Sequence, residues 1–304
     1  MKSGLPHLLL EVNRRQMSTT APSKRQVATN SFPSRQGLAA WVSPFLQSSV
    51  GSKYIVAVTG LIATLFVIGH MLGNLQIFLG QDRINTYAAS LKGLGGLLWF
   101  IRIILLTAFL LHIVLALRLN WRARQARPIG YACEKTVQAS FASRHMVVSG
   151  LVILAFTIFH IAHYTLGIVK GAEVETQVVT PNRQMESVTT YSNYLDLRDD
   201  KGRQDVYSMM IYGFQDPIIA ILYLVAQVLL FLHLTHGVAS MFQTVGLNNP
   251  RAQRAIRMLA WTVALVVCVG NVAIIAGVWL GVMRPNVPVV RAVAGLLGVP
   301  GEIS

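Results

Sequence analysis

SRHMVVSGLVILAFTIFHIAHY, residues 143–164, decides the reading of the chain. From Met146 to Ile168 it carries no Asp, Glu, Lys or Arg, yet it holds two histidines, His160 and His163. A run of that length, wound as a helix rising about 1.5 Å per residue, crosses a hydrocarbon layer of about 30 Å. Four more runs have the same character, at about 54–79, 97–119, 217–242 and 258–282. A lipid-embedded backbone must satisfy its own hydrogen bonds, so these runs are expected as helices and not as open strands. The predicted fold class is all-α: an integral membrane bundle of five transmembrane helices. Asp216-Pro217 is a natural start for the fourth, with proline in the first turn.

Composition agrees. Of 304 residues, 53% are hydrophobic and only 12% charged, about half the usual share for a globular protein. Mean hydropathy is +0.52. The formal net charge of +14 would ordinarily suggest nucleic acid, but the basic residues cluster in the connections between apolar runs. Arg118, Arg122, Arg124, Arg127, Lys135 and Arg144 follow the second run, and Arg251, Arg254 and Arg257 follow the fourth. Residues 170–216 are comparatively acidic, with Asp196, Asp199, Asp200 and Asp205. The positive-inside rule then places the N-terminus in the cytoplasm and the C-terminus on the outer side. Membrane lipid is the expected surrounding, and nucleic acid is not an expected partner.

Three regions follow. Residues 1–50 read as a flexible basic arm, with a short surface helix near WVSPFL (41–46) and an alternative start at Met17. Residues 51–283 form the transmembrane domain, whose polar outer segment, about 171–215, is expected to cap the bundle. Residues 284–304 are a C-terminal tail. Cys133 and Cys268 make neither a disulfide framework nor a metal-binding spacing.

Each of the first four runs carries histidine: His70, His112, His160 with His163, and His233 with His236 in LHLTHG (232–237). One such residue could simply hydrogen-bond across a helix interface. Four runs doing so point to a function, because polar groups in lipid are costly. His70 lies 17 residues after Lys53, and His160 lies 16 after Arg144, which sets both roughly 25 Å along outward-running helices. His112 precedes Arg118 by six residues, roughly 9 Å from the inner edge, and His233 and His236 fall in the inner half of an inward-running helix. The histidines therefore form two layers, each drawn from two helices. Facing neutral imidazoles suit haem iron, and Gly69, Gly73, Gly150 and Gly237 could make room for a flat porphyrin. Zinc fits less well, since ligands split between two depths cannot close one tetrahedron. Depth slightly favours His160 over His163 and does not separate His233 from His236.

GHMLGN (69–74), LLHIVLAL (110–117), SRHMVVSGLVILAFTIFHIAHY (143–164), GRQDVYSMMIYGFQDP (202–217) and LHLTHGVASMFQTVG (232–246) together resemble one family. It is the five-helix, di-haem, single-polypeptide cytochrome b membrane anchor of succinate dehydrogenase and fumarate reductase, and the likeness runs from about Ser43 to Met283. The resemblance implies two haem b groups, the outer held by His70 and His160 and the inner by His112 and His233. His163, His236 and Arg102 would bond propionates or support the ligands. Asn74, Gln76, Arg83 and Asn85 become candidates for contacting menaquinone. It further implies a bacterial cytoplasmic membrane location in a respiratory chain, with a flavoprotein subunit and an iron-sulfur subunit docked on the cytoplasmic face. The chain has no flavin fingerprint or iron-sulfur cysteines, so it would carry electrons without oxidising succinate itself. Some family members have a glutamate two residues before the fourth-helix ligand; Phe231 stands there here. The alternatives are the cytochrome b of a hydrogenase or formate dehydrogenase, and a haem-free transporter or anchor.

Overall fold

The computed structural model describes residues 44–45, 47–127, 140–169, 171–179, 185–247, 249–285 and 289–291. Most of the N-terminal arm, four of the six residues of the suggested surface helix at 41–46 and most of the C-terminal tail lie outside them. The chain divides between Pro44 and Phe45, and everything below belongs to the second unit. Its edge falls a little before the boundary expected at residue 50, because the Ser48 side chain caps the first helix and also donates to the Phe45 carbonyl, 2.8 Å away.

Five helices are long and apolar enough to cross a membrane. The first, α1, is Ser49–Asn74 and continues as a 3-10 segment to Leu79. Gly80, with φ 95°, breaks it and admits an unpredicted helix, α2, Gln81–Gly93. The second span, α3, is Gly96–Gln125. The third, α4, is Met146–His160 and ends in a π-helical turn, Ile161–Thr165. A short helix, α5, Val206–Gln215, leads into the fourth span, α6, Pro217–Thr244. The fifth, α7, is Pro250–Trp279. Sequence sets the starts of the last two: Asp216 and Asn249 accept backbone N–H bonds at the caps, and proline occupies the first turn behind each. The last span begins eight residues before the apolar run, since Pro250–Arg257 is a basic first turn pair that the hydropathy pattern leaves out.

The packing order positions the histidines. α1 packs on α3, α6 and α7, and α4 packs on α6 and more sparsely on α3. The four histidine-bearing spans thus close a ring in the order α3, α1, α6, α4. α7 lies outside it against α1 and α6, where Met71, Leu234, Val238, Ala260, Ala264 and Val267 form a buried seam. A second core joins α5 to the ends of α6 and α7 through Ile211, Phe214, Ala220, Tyr223, Ile274 and Ile275.

The polar segment between the third and fourth spans is structured. β1, Gly171–Val179, and β2, Met185–Asn193, form an antiparallel hairpin, and β3, Val289–Arg291, adds in parallel to β1. Alternation did not announce these strands. The rest of the segment is clamped to α2. Asn85 is fully buried; its amide donates to Asp199 at 3.1 Å and Asp205 at 3.0 Å, and its oxygen accepts from the Tyr207 N–H. Arg203 bridges Asp199 and Asp82, and Lys201 joins Asp82 at the exposed rim. Lys92 also meets Gln204.

Burial pushes the Asp199 carboxyl up, but hydrogen bonds from Arg203 and Asn85, with the guanidinium charge, outweigh it and hold it below its ordinary value. A depressed carboxyl pKa gives stability that is present above the unfolded value, about 4, and is lost as pH falls through the lower folded one. Amide exchange over residues 196–207 should therefore accelerate as pH is lowered below about 4, beyond its intrinsic pH dependence; a pH-independent protection factor would contradict this. Replacing Asn85 by Leu leaves buried carboxylate oxygens short of donors and should cost about 1–3 kcal/mol, read as a lower melting temperature in detergent.

Candidate functional site

In apolar surroundings a neutral imidazole needs an acceptor for its one N–H, and whichever nitrogen makes that bond leaves the other with a lone pair. His112 on α3 turns Nδ1 to the Val56 carbonyl, 3.1 Å away, and to Thr59 Oγ1 at 3.2 Å, both on α1. A carbonyl only accepts, and the Thr59 proton is engaged with the Ile55 carbonyl at 2.7 Å. His112 therefore carries its proton on Nδ1, and Nε2 is bare.

The same logic holds on the other side of the ring. His233 on α6 places Nδ1 3.3 Å from Ser149 Oγ on α4, and that hydroxyl donates to the Met146 carbonyl at 3.0 Å. Ser149 is left to accept, so His233 also presents a bare Nε2. A glycine backs each ring. A Cβ on Gly60 would stand 3.1 Å from His112 Cε1, and one on Gly150 would stand 3.3 Å from His233 Cε1.

His70 on α1 meets His160 on α4, with ring centroids 5.7 Å apart and planes at 89°. His70 Nε2 lies 3.2 Å from the Asn74 amide nitrogen. That group is a donor, so Nε2 is again the lone-pair atom; coordinating a metal there requires the Asn74 side chain to swing away. His160 Nδ1 is 3.0 Å from the Tyr223 hydroxyl on α6.

The arrangement is paired and two-layered. His70 faces His160, while His112 is seated beside Thr59 on α1 and His233 beside Ser149 on α4. Each layer draws its histidines from spans that are diagonal in the ring, α1 with α4 and α3 with α6, whose backbones make few close approaches. The layers are separated by the 11 residues from Thr59 to His70 on α1 and from Ser149 to His160 on α4, about 16 Å of helix.

That equal spacing is a signal the sequence analysis missed. Thr59-Gly60 and Ser149-Gly150 each precede a histidine by the same offset, ending at His70 and His160. Eleven residues are close to three full turns, so hydroxyl and histidine share one helix face. α1 and α4 are equivalent halves: each offers a hydroxyl-glycine seat to the histidine of its neighbour and its own histidine one layer further along.

The remaining candidates occupy other places. His163, in the π-helical turn, is fully buried among Phe159, Tyr164 and Tyr194, with Nδ1 3.1 Å from the same Tyr223 hydroxyl. His236 is half-buried one turn beyond His233. Arg102 is exposed, its guanidinium 5.0 Å from the Trp99 ring centroid. Of the four quinone candidates, Asn74 touches His70, Gln76 is half-buried and Arg83 is exposed. Asn85 is buried, with its amide donating to Asp199 and Asp205 and its oxygen accepting from the Tyr207 N–H. Gln227 and Asn271 form a polar pair between α6 and α7 at 3.0 Å, also unforeseen.

Among the described residues, no group of three or more His, Cys, Asp or Glu is placed to hold a metal ion; the histidines come in twos. No family model, curated protein or solved structure matches the chain.

The hydroxyl seats should be measurable in the protein alone. A double-mutant cycle of Thr59→Val with His112→Leu should give a coupling of about 1 kcal/mol in thermal unfolding, and Ser149→Ala with His233→Leu a similar one. Strict additivity in both cycles would remove the seats.

Proposed function

We propose that this multi-pass membrane protein is a di-haem cytochrome b, and that it serves as the membrane anchor of a succinate dehydrogenase or fumarate reductase. The observation that carries the first part is the contact of His70 with His160 and, 11 residues back along the same two helices, the seating of His112 on Thr59 and of His233 on Ser149. Neutral imidazoles in twos are the donor set of six-coordinate haem iron. The hydroxyl and carbonyl acceptors at Nδ1 are the partners that orient such ligands and raise their basicity. The glycines behind His112 and His233 keep those rings from being pushed off the helix. The sparse backbone contact across each diagonal favours a flat group between the spans.

Two haem b groups would supply one-electron steps at two levels of the membrane. The chain's own part is to hold the four imidazoles neutral and aimed, to exclude water with the lipid-facing spans, and to tie the two ends of the bundle together. At the basic end, Arg122 on α3 donates to the Gln47 carbonyl at 2.7 Å; at the acidic end, Lys201 and Arg203 hold α2. The charge difference between these ends supports an inward N-terminus and an outward C-terminus in the bacterial cytoplasmic membrane.

The second part of the proposal rests on the sequence resemblance. It names an iron-sulfur and a flavoprotein subunit as cytoplasmic partners, and menaquinone as the substrate in the membrane. Asn74, Gln76, Arg83 and Asn85 stay as quinone candidates at the end of the first span.

The test is spectroscopic. Protein expressed with ample haem should show b-type Soret and alpha bands and two haems per chain. Leu in place of His70 or His160 should remove one haem, and Leu in place of His112 or His233 the other. His163→Leu and His236→Leu should keep both. A colourless intact protein would favour a haem-free transporter or anchor. Retained haem with a hydrogenase or formate dehydrogenase subunit as co-purifying partner would redirect the assignment.

A further inference from the structure

The tautomer of His160 is set by a phenol, a group that can either accept or donate. Its Nδ1 faces the Tyr223 hydroxyl at 3.0 Å, and the same oxygen is 3.1 Å from His163 Nδ1. All three side chains are buried or half-buried, and Tyr223 is 5% exposed. A phenol has one proton to donate and lone pairs to accept with. It can therefore donate to at most one of these imidazoles while accepting from the other.

We infer that Tyr223 is a positioning residue: it accepts the Nδ1–H of His160 and donates its own proton to Nδ1 of His163, which makes His160 the iron ligand and bars His163 from that role. The two contacts to one hydroxyl stand on geometry alone; the choice of polarity rests on the di-haem reading. In this polarity His160 has a bare Nε2, and His163 carries its proton on Nε2. In the opposite polarity His160 would be protonated at Nε2 and could not bind iron there. The π-helical turn is what makes the sharing possible, because it brings His163, three residues on, to the same oxygen. His163 is then excluded as the alternative on two counts: it lacks the lone pair at Nε2, and it is packed against Tyr164 and Tyr194.

The two halves of the bundle differ at this point. Ten residues before His233 on α6 stands Tyr223; ten before His112 on α3 stands Arg102. Arg102 turns to Trp99, and His70 meets Asn74 instead. The device belongs to His160 alone.

Two readouts test it. In haem-free protein labelled with 15N-histidine, and assigned with His160→Gln and His163→Gln, His160 should show a protonated Nδ1 and a bare Nε2, and His163 the reverse. His163→Leu removes the acceptor of the tyrosine proton, and the His160 signals should then move to a tautomer mixture. A reversed wild-type pattern, or an unmoved His160 signal in His163→Leu, overturns the inference. In haem-loaded protein, Tyr223→Phe should keep both haems and raise the midpoint potential of the outer one only, since its ligand loses an acceptor at Nδ1 and becomes less basic. No shift, or an equal shift of both haems, overturns the positioning role. Wild-type protein that binds no haem defeats the cytochrome reading itself, and the nitrogen shifts then judge the hydrogen-bond polarity on their own.

Discussion

An imidazole N–H in a lipid-embedded helix must find an acceptor, and here it finds one on a neighbouring helix. His112 bonds to α1 and His233 to α4, and His160 meets the Tyr223 hydroxyl of α6. Each bond does two things. It satisfies a polar group where water is absent, and it fixes which nitrogen keeps a lone pair. Helix contact and ligand chemistry are therefore one constraint. A span could not slide or rotate against its neighbour without also spoiling a histidine.

The bundle meets this constraint twice by the same means. Thr59-Gly60 on α1 and Ser149-Gly150 on α4 are seats of equal design, each a hydroxyl whose proton is spent on its own helix and a glycine that lets a ring approach. A chain that repeats its seat at equal spacing from its next histidine generates two layers from two similar helix pairs. The layer of His70 and His160 departs from this symmetry. His70 is reached by an amide of its own helix and His160 by a phenol from across the bundle, so the two layers offer their ligands different hydrogen-bond partners. Ligand basicity is one lever on the properties of bound iron, and the asymmetry gives the fold a way to make the layers unequal.

The end of the bundle that carries α2 is built on a different principle. Asn85, Asp199, Asp205 and Arg203 bury charge and amide groups together and satisfy them mutually. This clamp fixes α2 against the segment before α5, directly beyond the layer of His70 and His160. It is rigid because its polar groups are committed. Groups at that end that remain half-buried or exposed, Gln76 and Arg83 among them, are the ones with bonding capacity to spare.

The sequence alone determined the five spans, their order and the histidines they carry, because a stretch of about 20 apolar residues has one stable backbone in lipid and charge is excluded from it. It also placed the histidines in two layers, since depth along a helix is a count of residues. Pro217 and Asp216 marked a helix start in the same local way. What it left open depends on contacts between distant residues. Rotation about each helix axis, set by packing, is what turns His70 towards His160 and seats His112 against Thr59. Sharing of one hydroxyl by His160 and His163 needs Tyr223 from a span some 60 residues on, and burial of Asn85 needs a loop more than 100 residues away. Local pattern reports how deep a side chain sits and what it is; only the assembled bundle decides what it faces, because facing is a property of two helices at once.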